Sequence, residues 1–106
     1  MSVPFACDMT AIPAEQRGPH HALIRRLMTE AVEEISELPD GLAFRFRAQE
    51  YDAVTEFVGR ERLCCPFLAF GLDVSPDRGP LRLRLAGAQG VKEFIRAELH
   101  LPAVTR

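Results

Sequence analysis

The stretch Leu68-Ala69-Phe70-Gly71-Leu72-Asp73-Val74-Ser75-Pro76-Asp77-Arg78-Gly79-Pro80-Leu81-Arg82-Leu83-Arg84-Leu85 carries two runs of apolar alternation on either side of a turn-rich hexapeptide. Successive strand side chains point to opposite faces, so Leu68, Phe70, Leu72 and Val74 share one face, as do Leu81, Leu83 and Leu85. Proline and glycine between the runs supply a turn, and the whole reads as a β-hairpin. Alternation, rather than continuous apolar runs, describes a sheet covered on one face and wet on the other, the habit of antiparallel sheets.

Upstream, Leu42, Phe44 and Phe46 alternate with Ala43, Arg45 and Arg47 and predict another strand. Between this strand and the hairpin, from about Gln49 to Cys65, the positions Val54, Phe57, Val58, Glu61, Cys64 and Cys65 fall on one helical face, and Pro66 stops the helix. Earlier still, Leu23, Ile24, Leu27, Met28, Ala31, Val32 and Ile35 recur at spacings of three and four, which predicts a helix over 19–37. Leu38-Pro39-Asp40-Gly41 ends it, because Pro39 restricts the residue before it and Gly41 reaches positive φ cheaply. After Gly87 and Gly90, the positions Val91, Phe94, Ile95 and Leu99 mark a closing helix. Residues 1–18 are expected to form an irregular arm presenting Cys7 and Asp8, and 100–106 a loose tail.

The order is therefore α-β-α-β-β-α. It predicts an α+β two-layer sandwich, with a small three-stranded, mainly antiparallel sheet and helices on one face, since only one βαβ unit is available for a parallel neighbour. At 106 residues the chain is expected to be a single domain, 1–106, around one core. Its 47% hydrophobic and 26% charged residues argue against extensive disorder.

The formal charge of −2 supplies no general attraction to nucleic acid or anionic membranes. Arg45, Arg47, Arg78, Arg82 and Arg84 lie on wet registers or in the turn, but no aromatic residue is interleaved with them for base stacking. A solvated face, or an interface of a homo-oligomer paired with carboxylates, is the expected use of that patch, with nucleic acid unlikely as a partner. No apolar run approaches the roughly 20 residues of a membrane span, and no signal-peptide pattern opens the chain, so a cytoplasmic location is expected. Glycine-rich phosphate loops, HExxH and GxSxG are absent from the sequence, and neither nucleotide nor organic cofactor is predicted.

Chemistry concentrates in the three cysteines, Cys7, Cys64 and Cys65. An odd number of thiols fits a reducing compartment rather than a disulfide framework. On a helix Glu61 lies over the same turn as Cys64 and Cys65, and it interrupts an apolar stripe, so it needs a partner: an arginine, a thiol proton or a metal. Arg60 and Arg62 stand four and three residues before the two thiols and favour thiolate, while the exposed carbonyls of the helix end oppose it. Two adjacent thiols with a third, Cys7, would make a trigonal site suited to Hg(II), As(III) or Cu(I). Zinc would want a fourth ligand, for which Asp8, His20, His21 and Glu61 are candidates, the histidines being read chiefly as solvent-exposed.

Cys7-Asp8-Met9-Thr10, Glu37-Leu38-Pro39-Asp40-Gly41, Glu61-Arg62-Leu63-Cys64-Cys65-Pro66-Phe67 and Gly90-Val91-Lys92-Glu93-Phe94 together resemble a group of small bacterial proteins with an ERxCCPF-type motif. That resemblance spans most of the chain and implies heavy-metal handling. The Cys-Asp pair with distant cysteines is also similar in kind to the thiol and carboxylate set of organomercurial lyases, though spacing and length differ, which makes carbon–mercury cleavage a minor expectation.

Three functions follow in order. First is a soft heavy-metal binder (Hg, As(III), Cu(I) or Zn) with Cys7, Cys64 and Cys65 as ligands and Asp8, Arg60 and Arg62 in support. Second is a thiol redox or thiol-dependent enzyme acting on a small thiol-reactive molecule. In it Cys64 or Cys65 attacks, Glu61 shuttles the proton and Cys7 resolves the product. Third is an interaction domain with inert, core-packed cysteines. The sequence leaves enzyme status open.

Overall fold

The structure, a computed structural model, describes residues 5–101. Its elements are α1 (Ala14–Arg26), β1 (Glu34–Leu38), β2 (Gly41–Phe46), α2 (Tyr51–Cys64), β3 (Ala69–Val74), β4 (Leu81–Ala86) and α3 (Val91–Glu98). The fold is α+β, with one four-stranded sheet ordered β1-β2-β4-β3 and antiparallel at every pairing. The predicted order α-β-α-β-β-α is thus corrected to α-β-β-α-β-β-α, with four strands in place of three. No parallel neighbours arise, because β4 lies between β2 and β3.

The added strand is β1, which occupies the last part of the helix predicted over 19–37. α1 widens into a π-turn over Leu27–Ala31, where the Val32 amide bonds the Leu27 carbonyl at 2.8 Å, and the chain leaves it extended. Ile35 does turn inward, but from a strand, paired with Phe44. Pro39 and Asp40 form the tip of the β1–β2 hairpin. Gly41 is not in the positive-φ region. It is required for another reason: an added Cβ would stand 1.9 Å from the Leu85 carbonyl oxygen.

α1 also begins earlier than predicted, at Ala14, inside the segment read as an irregular arm. Pro19 therefore lies within the helix, where it forfeits one i→i−4 bond. The early start is held by Ile12, fully buried, and by Arg17, whose Nε donates to the carbonyls of Met9 and Ile12 at 2.9 Å each. The segment read as a loose tail begins as a helix stop. His100, at φ 55°, donates its amide to Ala97 and the Leu101 amide reaches Arg96, the two bonds of a Schellman motif. Residues 1–4 and 102–106, the outer parts of the expected arm and tail, lie outside the described residues.

The hydrophobic core joins Leu42, Phe44 and Phe46 of β2 to Leu81, Leu83 and Leu85 of β4, beneath Val54 and Phe57 of α2 and Val91 and Ile95 of α3. Opposite it, Glu34, Arg45, Arg82 and Asp73 form one cross-strand row, all exposed. Arg45 pairs with Glu33, and Arg82 and Arg84 with Asp73, so three of the five arginines noted in the sequence stand beside carboxylates. Among the described residues no helix is long and apolar enough to cross a membrane.

Candidate functional site

The last turn of α2 places Glu61, Cys64 and Cys65 on one face, three and four residues apart. Pro66 follows at once and the helix ends there, with the Cys65 amide making its final bond to the Glu61 carbonyl at 2.8 Å. This leaves the Cys64 carbonyl without a helical donor. The Asp8 amide supplies one at 2.9 Å, so the N-terminal segment serves as the helix's terminal partner and carries the neighbouring Cys7 into place. Phe5 anchors the same segment by packing on Phe67 and Phe94, with ring centroids 5.1 and 6.0 Å apart.

Cys7, Cys64 and Cys65 consequently meet, their Sγ atoms all within 4.8 Å of one another, close enough to hold a metal ion. All three are free thiols, with Cys64 and Cys65 fully buried and 3.8 Å apart. Cys65 donates to Glu61 Oε2 at 3.4 Å, and Cys64 reaches the Glu61 carbonyl and Oε1 at 3.5 and 3.7 Å. Met9 adds a thioether 3.8 Å from Cys7 Sγ.

Glu61 is 1% exposed, and its partner is His20, 0% exposed, whose Nε2 lies 2.8 Å from Glu61 Oε1. His20 thus faces the core and not solvent, correcting the expectation of a surface histidine; its ring stacks on Phe57. Its Nδ1 has no hydrogen-bond partner among the described residues. His21 is exposed.

Of the other predicted supports, Asp8 turns its carboxylate to Thr10 at the start of a short 3-10 turn, which holds its pKa low, and it is exposed. Arg60 pairs with Glu56, one turn back along α2, and Arg62 is exposed. Glu98, from the last turn of α3, enters the cluster instead, a carboxylate oxygen within 4.8 Å of a Glu61 oxygen and of Cys65 Sγ. The sequence held the signal for Glu98: it occupies the apolar register of Val91, Phe94 and Ile95, as Glu61 does on α2. Met9 had no such signal.

Burial is the leading cause that pushes all three thiols above their ordinary value of 9.0, and the Glu61 charge adds to it at Cys64 and Cys65. Burial likewise raises the Glu98 carboxyl. The site therefore gathers three thiols whose protons are held more tightly than usual beside the carboxylates of Glu61 and Glu98. Comparisons with known protein families, curated proteins and solved structures give no match for this chain.

Proposed function

We propose that the protein binds one soft metal ion, Hg(II), Cu(I) or As(III), through Cys7, Cys64 and Cys65. The observation that carries this reading is the meeting of three sulfurs within 4.8 Å, two buried and one half-buried, contributed by two segments far apart in sequence. A three-thiolate site suits large polarisable ions. Zinc would recruit a fourth donor from the adjoining Glu61 and Glu98 carboxylates or from His20, giving a tetrahedral set. Glu61, held by His20, orients the thiol protons before they leave, the part an outer-shell carboxylate plays at metal sites. The heavy-metal association implied by the ERxCCPF-type motif points the same way, and a reducing cytoplasm is the setting in which such thiols stay free.

Thiol redox catalysis, with Cys64 or Cys65 attacking and Cys7 resolving, is the weaker reading. Its nucleophile needs a depressed pKa, whereas burial raises each thiol and the two neighbouring arginines are engaged elsewhere or exposed.

Titration of freshly reduced protein with Hg(II), Cu(I), As(III) and Zn(II), followed by ultraviolet thiolate-to-metal absorption and native mass, tests the proposal. A one-to-one complex is expected for at least one soft ion, weakened sharply in Cys7→Ser. Uptake that is weak, or indifferent to Cys7→Ser, would overturn it.

A further inference from the structure

A cavity of about 160 Å³ opens where the end of α3 meets α1. Buried Ile24 and Leu99 form its floor, and exposed His21, Arg25 and His100 stand at its mouth. Glu98 is common to this cavity and the buried cluster: it lines the wall, and it also lies within 4.8 Å of Cys65 Sγ and a Glu61 oxygen. The position of His100 is set by the Schellman turn, which fixes its backbone in the left-handed region.

The geometry points to this cavity as the port through which a cation reaches the sulfurs, with Glu98 as the transfer ligand between the mouth and Cys65. This inference rests on the metal-binding reading above. Donors line the whole route, from the exposed imidazoles of His21 and His100 to the half-buried Glu98 carboxylate to Cys65 Sγ, and thiolate outcompetes both imidazole and carboxylate for a soft ion, so the ion moves inward. As each sulfur–metal bond forms, the S–H bond breaks and its proton leaves through the same opening to solvent. No electron changes hands. An oxygen ligand that relays the ion lowers the barrier to loading.

Charge gives the test its sign. Glu98 attracts a cation, while Arg25 in the same cavity wall repels one, so the two neutralising changes must act in opposite directions. The probe is Cu(I) presented in acetonitrile, with stopped-flow loading and stoichiometry measured for wild type, Glu98→Gln and Arg25→Gln. Glu98→Gln is expected to slow loading by about ten-fold, the low end of electrostatic effects on encounter, at unchanged stoichiometry. Arg25→Gln is expected to speed loading by a smaller factor. Unchanged loading in Glu98→Gln, or slowing in both variants, would overturn the port. A wild type that takes up no soft ion defeats the metal reading itself, and the port with it, a result visible before any variant is made.

Discussion

His20 and Glu61 are the residues on which the site's architecture turns. Both are shut off from solvent, and their 2.8 Å contact joins α1 to the thiol-bearing turn of α2. Removing one member of such a pair leaves the other's polar group buried without its main partner, which is far more damaging than the pair is stabilising. His20→Ala is accordingly expected to lower the unfolding free energy by about 3 kcal/mol or more, read from the urea midpoint. His21→Ala, one residue on but exposed, should leave that midpoint where it is. A small shift in His20→Ala would mean that the contact is expendable. Half of this was legible beforehand: a carboxylate in an apolar stripe announces a buried partner, and Glu61 does so. That the partner is His20 was not, because Pro19 beside it reads as the start of a helix, where side chains are wet. The true start at Ala14 puts His20 in the second turn, facing inward.

At the level of elements, strands and helices with an unambiguous period were readable, and those at a change of period were not. β2, β3 and β4 alternate cleanly, and α2 and α3 keep their stripes. β1 was hidden because Ala31, Val32 and Ile35 satisfy helical spacing, while what makes residues 34–38 a strand is pairing with β2 across a two-residue tip, a tertiary fact. The N-terminal segment was hidden for the same reason. Nothing periodic in residues 5–12 says that Phe5 will pack against Phe67 and Phe94, or that the Asp8 amide will find the Cys64 carbonyl. Those contacts bring Cys7 to the other two thiols, and they give a prediction that touches no sulfur. Phe5→Ala deletes two aromatic pairs, each contributing roughly 0.5–1.5 kcal/mol beyond simple burial. If docking of the segment is linked to binding, soft-metal affinity should fall by about ten-fold or more, since 1.4 kcal/mol is a factor of ten. Titration of Phe5→Ala by competition with a chelator checks this, and an affinity equal to wild type would mean that Cys7 is held by the metal alone.

For the whole molecule, the site is a store of protons gathered in the interior, and stability should register it. Each thiol binds its proton more tightly in the folded protein than its ordinary value of 9.0, chiefly because burial disfavours thiolate. Below pH 9 both folded and unfolded chains carry these protons, and the thiols do not make stability depend on pH. As pH rises through 9 the unfolded chain releases them while the folded chain keeps them, so the native state binds the greater number and stability falls. The slope approaches about 1.4 kcal/mol per pH unit for each thiol so held. Urea unfolding of the metal-free protein from pH 7 to 10 under reducing conditions should show this decline, and Cys65→Ser should flatten it. Metal reverses the sign. A soft ion bound to three thiolates displaces those protons at neutral pH, so the loaded protein should hold its stability through pH 9 to 10, where the metal-free protein loses it. Parallel curves for loaded and metal-free protein across that range would show that the bound ion is not seated on the buried sulfurs.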